Sequence, residues 1–421
     1  MRSPQFPFLF VVLCGLALLA ACAGTEPSAE DRPTTHEDSA EAPGAAAELT
    51  ANRTDSCVDG AEPGDDLFPD KVSFDEADGV SVSYEGTYKV VEVVPPQAPD
   101  AEPVRYVLAQ CGAPAPALEG DRADAQVIEV PVDEVASLTA TNLPHLDELD
   151  LVDRLVGVGD TDYIVTDAVL ERSDELAELA DETGAPNLER LVDTGPDLLV
   201  IDGFGDAILD DVARFVDAGV PTVINADFNE RTLLGRAEWV KLTALFFNAE
   251  AAATELYDDI AARYEELAAA ADGVDERPKV LVNAPFEGTW FAPGGASFLA
   301  AAINDAGGEY AFADDDTTAS LQLDIETVID RAADADVWLQ AGSVHGTLDN
   351  LLATDERFAE FAAFADGQVW AYDRWTTPTG GHAVLEVAYL RADWFLADLV
   401  AILHPELLPE HDFTFFGQVP E

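Results

Sequence analysis

The most specific chemistry in this sequence belongs to Cys22, because of the residues that precede it. Arg2 is followed by an apolar run from Phe6 to Ala20, and Ala21 stands directly before the cysteine. A positive start, a short apolar run and small residues at the cut are typical of a secretory signal peptide. The run is also shorter than the ~20 residues that a spanning helix needs. A cysteine directly behind such a cut is similar to the bacterial lipobox, in which the new N-terminal cysteine receives a lipid.

The segment after this cysteine has the composition of a tether. We expect residues 1–21 to be a lipoprotein signal peptide and residues 22–56 to be a disordered acidic tether. The tether is rich in Ala, Glu, Asp, Pro, Ser and Thr and has almost no large apolar side chain, so it cannot bury enough surface to offset its ordering entropy. The mature protein would then be extracytoplasmic and lipid-anchored to the bacterial cell membrane through Cys22.

Two further cysteines could form a disulfide bond. Cys14 leaves with the signal peptide and Cys22 takes the lipid, so Cys57 and Cys111 remain as a pair. In an exported protein two such cysteines favour a disulfide. The alternative is a pair of free buried thiols.

The side chains give no signal for catalysis. The sequence has neither a Gly-x-Ser-x-Gly nucleophile elbow nor a His-Glu-x-x-His metal helix. In a chain this acidic, a pair of carboxylates carries little information about general acid–base work. We therefore expect neither an enzyme nor a bound cofactor.

The net charge excludes one class of partner. The 421 residues include 83 Asp plus Glu against 21 Lys plus Arg, a formal net charge of −62. Nucleic acid is not expected as a partner, because its phosphates would be repelled. The acidic residues are spread along the chain and are interpreted as a solvated surface. A salty medium, where screening shortens the repulsion, is the accompanying hypothesis.

The elements that must position a site fall into blocks along the chain. Short alternating runs predict a small antiparallel β extension over 57–124. From 125 to 247, predicted strands alternate with helical patterns, which is typical of βαβ units and a mostly parallel sheet. That region includes a strand at Val127–Val130 and a helix at Ser173–Glu182. The same rhythm returns over 272–421.

A helical segment separates these two α/β lobes. Apolar residues at helical spacing predict a single long connecting helix over 248–271, with Asn248 as its N-cap. The predicted fold class is α/β, with two lobes that have mostly parallel central sheets and are joined by that helix. The alternative is an ordinary long surface helix within one larger domain.

Several stretches of the chain, in order, resemble the substrate-binding proteins of iron–siderophore and cobalamin ABC importers, the helical-backbone periplasmic-binding-protein family. The resemblance implies a two-lobed monomer that holds its ligand in the cleft between the lobes and delivers it to an ABC permease/ATPase complex. The stretches that carry it are Thr139–Leu149, Leu155–Gly159, Gly195–Val200, Leu234–Trp239, Pro285–Trp290, Pro293–Gly295, Ala306–Gly308 and Ile402–Pro409.

Ligands of open α/β sheets sit outside the carboxyl ends of the strands. Aromatic residues there would pack a planar ligand, and Arg374 would face a negatively charged group. The expected ligand is an iron–siderophore or a corrinoid, with the siderophore favoured. The ligand-binding candidates selected by this rule are Thr141, Asn142, Tyr163, Phe204, Phe228, Phe286, Trp290, Ser343, His345, Arg374 and Trp375.

The resemblance also implies how the protein docks. Relatives meet arginines of the transporter through carboxylates at the tip of each lobe, and the matching positions are Glu326 and either Asp206 or Asp210.

One alternative function is a zinc- or manganese-binding protein of a related importer, which needs converging His and carboxylate ligands. The histidines that could converge on such a metal ion are His145, His345 and His382. A surface-anchored enzyme is the other alternative.

Overall fold

Two separate hydrophobic cores organise the described part of the chain. The computed structural model describes residues 49–95, 102–181, 184–203, 208–339 and 346–421. Within these ranges the chain forms a mixed α/β structure in which two mostly parallel sheets each pack on their own core. The predicted fold class is confirmed. The signal segment, most of the tether and Cys22 lie outside the described residues.

The extension is a four-stranded sheet of the described residues, and its first three strands are antiparallel as expected. The fourth strand runs parallel to the third and begins at Gln126, so the strand expected to open the first lobe belongs to the extension instead. Its residues Ile128 and Val130 bury beside Tyr106 and Leu108, which explains the pairing. A disulfide joins Cys57 to Cys111. The strands are β1 (Val80–Tyr84), β2 (Tyr88–Val93), β3 (Val104–Gln110) and β4 (Gln126–Val130).

The first lobe is a parallel sheet with strand order β7-β6-β5-β8-β9 among the described residues. The helix predicted at Ser173–Glu182 is wrong: a 3₁₀ turn over Ser173–Glu175 leads into a short strand. The elements are β5 (Val135–Ser137), α1 (Leu143–Glu148), β6 (Leu155–Val158), α2 (Asp167–Leu170), β7 (Ala177–Glu178), α3 (Leu188–Thr194), β8 (Leu198–Asp202), α4 (Ile208–Asp217) and β9 (Thr222–Asn225).

Three helices follow, namely α5 (Leu233–Glu238), α6 (Val240–Phe247) and α7 (Glu250–Asp272). Helix α7 is roughly 34 Å long at about 1.5 Å per residue. Asn248 is not its N-cap: it has a left-handed backbone (φ 57°) and ends α6. Helix α6 is buried on all sides because Leu242 and Phe246 pack in the first core while Val240 and Ala244 pack in the second.

The second lobe has strand order β13-β10-β15-β16-β17 in the part of the chain that the structure covers, and only β17 pairs antiparallel there. Its other three-stranded sheet, β11-β12-β14, is antiparallel. No helix of the described residues is long and apolar enough to cross a membrane. The elements are β10 (Lys279–Val282), β11 (Pro285–Phe286), β12 (Thr289–Ala292), α8 (Phe298–Asp305), β13 (Glu309–Tyr310), β14 (Leu321–Leu323), α9 (Ile325–Ala332), β15 (Val337–Leu339), α10 (Leu348–Thr354), α11 (Ala362–Ala365), β16 (Val369–Ala371), α12 (Val387–Leu390), α13 (Ala392–Leu403) and β17 (Gly417–Gln418).

Buried acidic side chains attach the extension to the helices. Glu238 accepts hydrogen bonds from the backbone amides of residues 75–77 at 2.8–3.1 Å. Glu230 accepts from the amides of residues 78 and 79 and from the indole N–H of Trp239 at 2.9–3.0 Å. These carboxylates stabilise a loop that has no secondary structure of its own.

A buried ion pair completes this attachment. The Nζ of Lys89 lies 2.5 Å from the carboxylate of Glu250, and neither side chain has exposed surface. Lys89 also donates to the carbonyl of Leu245 and to Oδ1 of Asn248, both at 2.7 Å, and Asn52 donates to Glu250 at 2.8 Å. Because an unpaired buried charge is costly, each of the two charges depends on the other.

Candidate functional site

A cavity of about 410 Å³ lies between the turn that follows β9 and the second lobe. This size is in the range of small-molecule sites. Three of its walls come from the loops that start at the carboxyl ends of β9, β10 and β16. The lining residues are Phe228, Asn229, Glu230, Arg231, Leu233, Arg236, Asn283, Pro293, Ser297, Phe298, Leu299, Thr318, Ser320, Tyr372, Val384, Leu385, Ala388, Tyr389 and Phe395.

Arg236 of α5 is the buried cation of this cavity. Its side chain is held between two rings, with the guanidinium carbon 3.4 Å from the ring centre of Phe298 and 4.6 Å from that of Tyr389. Nη2 donates to the carbonyl of Phe228 at 2.7 Å. Burial lowers the pKa of Arg236, and the charges of Tyr389 and Asp227 oppose that shift. Since an arginine keeps its proton in proteins, a fixed positive charge lies at the cavity wall.

The two nearest acidic side chains are engaged elsewhere. Burial raises the pKa of Asp227, while hydrogen bonds from Thr141 and Asn225 and the charge of Arg236 work against the rise. Glu230 is held by the extension and by the Trp239 indole, as described above. Neither carboxylate therefore points its charge at the cavity as a free group.

Apart from Arg231, which pairs with Asp78 at 3.0 Å, the remaining lining is apolar or neutral. Phe228, Phe298 and Leu385 supply apolar surface, and Leu385 is 58% exposed. Burial raises the pKa values of Tyr372 and Tyr389, so both phenols stay protonated. Rings, hydroxyls, amides and the two arginines, Arg231 and Arg236, can bind a planar, partly polar molecule. No nucleophile with an adjacent base is present among these lining residues.

The lobes meet beside the cavity through polar contacts. The backbone carbonyl of Asp162 accepts from the hydroxyls of Thr377 and Thr379 at 3.4 and 2.6 Å. Glu386 accepts from the amides of Val165 and Thr166 at 2.8 and 2.9 Å. Burial raises the pKa of Glu386, and these hydrogen bonds oppose the shift.

The predicted ligand residues are only partly brought together. Phe228 lines the cavity. Tyr163 is 60% exposed and lies beside Gly380 and Gly381, and Phe286 is 68% exposed at the turn between β11 and β12. These two exposed rings lie outside the cavity lining.

Thr141 and Asn142 form a polar layer behind the cavity instead of a wall. The hydroxyl of Thr141 accepts from Asn225 at 3.0 Å, and the Asn142 amide donates to Thr243 at 2.9 Å. Asn142 is 3% exposed. Their role in the described structure is to support Asp227 and α6.

Trp290 was expected to contact the ligand, and the structure contradicts this. Its side chain has no exposed surface, its indole N–H donates to the carbonyl of Val282 at 2.9 Å, and its ring stacks on Trp338 at 5.6 Å. Phe358 and Phe361 complete this aromatic cluster. Strand β12 turns Trp290 towards the core of the second lobe, so Trp290 stabilises the lobe.

Arg374 does not line the cavity either. Its guanidinium donates to Asp412 at 3.0 Å and to the carbonyl of Phe413. Trp375 packs, partly buried, against the core of the second lobe. Arg374 therefore attaches the loop after β16 to the C-terminal segment, and Trp375 attaches it to the core.

The docking candidates lie on helix ends. Glu326 is in the first turn of α9 and forms an exposed ion pair with Arg357 at 2.5 Å. Asp210 is exposed in the first turn of α4. Asp206, Phe204, Ser343 and His345 lie outside the described residues.

Metal ligands do not converge in the described ranges: no group of three or more His, Cys, Asp or Glu there could hold an ion. His145 is 1% exposed, and its Nδ1 lies 2.9 Å from the hydroxyl of Thr243. Burial lowers the pKa of His145 to about 3, so the ring is neutral at ordinary pH. Its contacts are structural.

Sequence reasoning missed the residues that contribute most to the cavity. Asn283 and Tyr372 directly follow β10 and β16, so the strand-end rule finds them when it is applied to the first residue after each strand. Arg236 carried a different signal, a cation within the apolar pattern of α5. Tyr389 and Phe298 come from helices, and no pattern in the sequence marks them.

A two-lobed α/β protein with a mixed apolar and polar cavity between its lobes has the architecture of a solute-binding protein. The chain belongs to the periplasmic binding protein family, whose model matches residues 135–374, more than half of the sequence. The resemblance seen in the sequence is confirmed. As a member of that family, the protein is a periplasmic solute-binding protein and not an enzyme.

Two uncharacterized lipoproteins of Methanocaldococcus jannaschii are similar in sequence. One is 29% identical over 238 residues, covering 55% of this chain and 53% of the relative. The other is 28% identical over 336 residues, covering 73% of this chain and 78% of the relative. The chain thus spans about half the length of the first relative.

Solved structures share the fold at low identity. A periplasmic binding protein from Veillonella parvula is 16% identical with a TM-score of 0.54, covering 79% of this chain and 95% of that one. Helicobacter pylori CeuE with Ni(II) bound is 18% identical with a TM-score of 0.52, covering 68% and 88%. A periplasmic heme-binding protein from Pseudomonas aeruginosa is 18% identical with a TM-score of 0.51, covering 69% and 99%. These identities show the fold alone.

Proposed function

We propose that this protein is the lipid-anchored solute-binding subunit of an ABC importer and that it captures an iron–siderophore or a corrinoid in the cavity between its lobes. It would then deliver that ligand to a membrane permease driven by an ATPase. The lipid on Cys22 would keep it at the extracytoplasmic face of the membrane. The similar lipoproteins come from an archaeon. The proposal therefore names an extracytoplasmic membrane face but does not specify that the host is a bacterium.

One observation carries the proposal: a cavity of about 410 Å³ is lined by the 228–236 segment on one side and by aromatic and hydroxyl side chains of the second lobe on the other. Such a mixture suits a bulky chelate with planar faces and polar edges. Solved proteins of the same fold include one with Ni(II) bound and one that binds heme, and both ligands are metals or metal complexes.

Docking would use exposed carboxylates on both lobes. Glu326 is at the start of α9 and pairs with Arg357, which supports a role in binding a second arginine. Asp210 would act on the first lobe. A permease arginine that replaces Arg357 would form the same kind of contact, and such rim charges mainly govern the rate of encounter.

The test is isothermal titration of the purified full-length chain, in parallel with tryptophan fluorescence. The ligands are ferric siderophores of different charge, cyanocobalamin, Zn²⁺ and Mn²⁺. We expect one equivalent of a siderophore or corrinoid to bind, and Phe228→Ala to weaken that binding. Phe286→Ala is the matched control, because Phe286 is an exposed ring outside the cavity.

The outcomes separate the functions that were considered. Tight binding of Zn²⁺ or Mn²⁺ without chelate binding would replace the proposal with a metal-ion importer. Chelate binding that is equally sensitive to both alanine variants would place the ligand outside the cavity.

A further inference from the structure

The β extension reaches the cavity although it lies outside the part of the chain that the family model matches. That model begins at residue 135. A loop of the extension, residues 75–79, directly precedes β1 and contacts two of the residues that line the cavity. Its Asp78 pairs with Arg231 at 3.0 Å, and two of its backbone amides bind Glu230. Membership of the family therefore does not explain what this loop contributes to the site.

The wall that the loop contacts has little backbone support of its own. Residues 228–231 all line the cavity, and they lie between β9 and α5 without belonging to a strand or an α-helix. A 3₁₀ turn at Asp227–Asn229 supplies their amide hydrogen bonds, at 3.0 and 3.1 Å. The position of this wall therefore depends on its side chains, of which Glu230 is buried at 6% exposed.

The carboxylate of Glu230 joins the wall to the 75–79 loop. Its Oε2 accepts from the amide of Asp78 at 3.0 Å, and its Oε1 accepts from the amide of Gly79 at 2.9 Å. The indole N–H of Trp239, which has no exposed surface, donates to the same Oε1 at 2.9 Å. A buried carboxylate that accepts three such bonds is fixed, because each unmade bond leaves part of its charge unsatisfied. The loop thus determines where Glu230 lies.

Two glycines make this fit possible. A Cβ at Gly79 would lie 3.1 Å from Oε1 of Glu230 and 3.1 Å from the ring of Trp239. Both distances are shorter than the roughly 3.5–4.0 Å of an optimal carbon contact. Because Trp239 is packed in the first core, Glu230 would have to move. On the other side of the contact, a Cβ at Gly235 of α5 would lie 2.9 Å from the carbonyl oxygen of Glu76.

We propose that the 75–79 loop is a positioning element of the ligand site: it holds Glu230 and thereby sets where residues 228–231 meet the ligand. This rests on the proposed function, because it takes the cavity as the ligand site, and it adds the extension to the binding machinery. By linkage, a ligand that stabilises this wall also stabilises the bonds from the amides of residues 78 and 79 to Glu230. The amides of residues 75–77 are the internal comparison, because they bind Glu238, which is not among the lining residues.

The experiment compares the full-length wild type with Gly79→Ala and Gly273→Ala by isothermal titration. The probes are ferric enterobactin, a siderophore complex, and cyanocobalamin, a corrinoid. Gly79→Ala should bind the probe that wild type binds about 3- to 10-fold more weakly, because the wall is displaced. Gly273→Ala is the matched control and should stay within about twofold. Gly273 is exposed at the end of α7, and a Cβ there would lie 3.5 Å from the carbonyl oxygen of Ala270, an ordinary contact.

Hydrogen exchange, resolved by residue, supplies the readout that a purely structural role would not change. Without a probe, the amides of residues 228–231 should exchange at least about threefold faster in Gly79→Ala than in wild type. With the probe at saturation, wild type should gain protection at residues 78 and 79 and less protection at residues 75–77.

Thermal unfolding of each variant is measured first, and if Gly79→Ala does not fold, the protection pattern of wild type decides. Equal affinity of folded Gly79→Ala and wild type would overturn the proposal, as would ligand binding that leaves residues 78 and 79 no better protected than residues 75–77. Binding in the cavity would still stand in both cases. If wild type binds neither probe, the proposed function falls, and the probe-free exchange of residues 228–231 decides this inference: an unchanged rate in Gly79→Ala overturns it, and a raised rate supports it.

Discussion

Replacing Lys89 by methionine tests how the extension is held to the rest of the protein. The substitution keeps most of the side-chain volume and removes the charge, which leaves Glu250 buried without a cationic partner. Its remaining side-chain donors are then the amide of Asn52 at 2.8 Å and the hydroxyl of Tyr84. Removing one partner of a buried ion pair costs about 3–5 kcal/mol of unfolding free energy. Lys71→Met is the matched control, because Lys71 pairs with Asp66 at the surface with side chains 39% and 59% exposed. An exposed pair contributes about 0–1 kcal/mol.

Urea unfolding measures the free energies, and hydrogen exchange of the amides in β2 and β3 shows whether the extension opens by itself. The double variant Lys89→Met/Glu250→Leu removes both charges and should recover most of the loss, because replacing a whole buried pair by apolar residues is often nearly neutral. A loss for Lys89→Met no larger than that for Lys71→Met would refute the reasoning. Additive losses in the double variant would refute it equally.

Further predictions follow from the described contacts and from the sequence. The pKa of His145 is about 6.5 in the unfolded chain and about 3 in the folded protein, so the folded state binds fewer protons between these pH values. The free energy of unfolding should therefore fall as the pH falls, by about 2 kcal/mol from pH 7.5 to pH 5. His145→Gln should abolish this part of the pH dependence, as measured by urea titrations. Trp290→Ala should cost about 3–5 kcal/mol of stability by opening a core cavity, whereas Phe228→Ala should lower ligand affinity about 10-fold and cost less than about 1 kcal/mol of stability. Glu326→Arg should reduce uptake into cells without changing ligand affinity in titrations. Cys22→Ser should abolish lipid labelling and membrane association in fractionated cells and leave a folded soluble protein.

A specific result would contradict each of these predictions, and the uptake prediction also has a control variant. An unchanged acid slope in His145→Gln would show that other groups produce it. A folded, fully stable Trp290→Ala would remove Trp290 from the core. Glu276→Arg, at an exposed carboxylate in the segment before β10, is the control for uptake, and equal uptake by both charge reversals would remove Glu326 from the docking surface. Complete membrane partition of Cys22→Ser would refute the lipid anchor.

The sequence predicted the sheets and the long helix because these depend on local periodicity. Strands such as β8 and β10 are short apolar runs, and α7 repeats apolar residues at helical spacing over 23 residues. The extension's fourth strand was assigned to the wrong sheet because its partner is chosen by a parallel contact with β3. Periodicity identifies a strand without identifying its neighbour.

The site was harder to predict, for a physical reason that Trp290 illustrates. A strand places alternate side chains on opposite faces, and the sequence of β12 does not say which face meets the core. Arg374 is satisfied by Asp412, a residue far along the chain that no local pattern connects to it. Arg236 and Tyr389 come together only when α5 and α12 pack, so their meeting depends on tertiary structure. Phe228 was found because it follows a strand closely.

Hydrogen exchange of the full-length wild type with and without ferric enterobactin tests the central claim, that a ligand binds between the lobes. We expect added protection in the 228–236 segment and in the 383–389 segment, which both contribute residues to the cavity lining. The extension strands β1 to β4 should show no change. Protection confined to the extension or to one lobe, at saturating ligand, would contradict the claim.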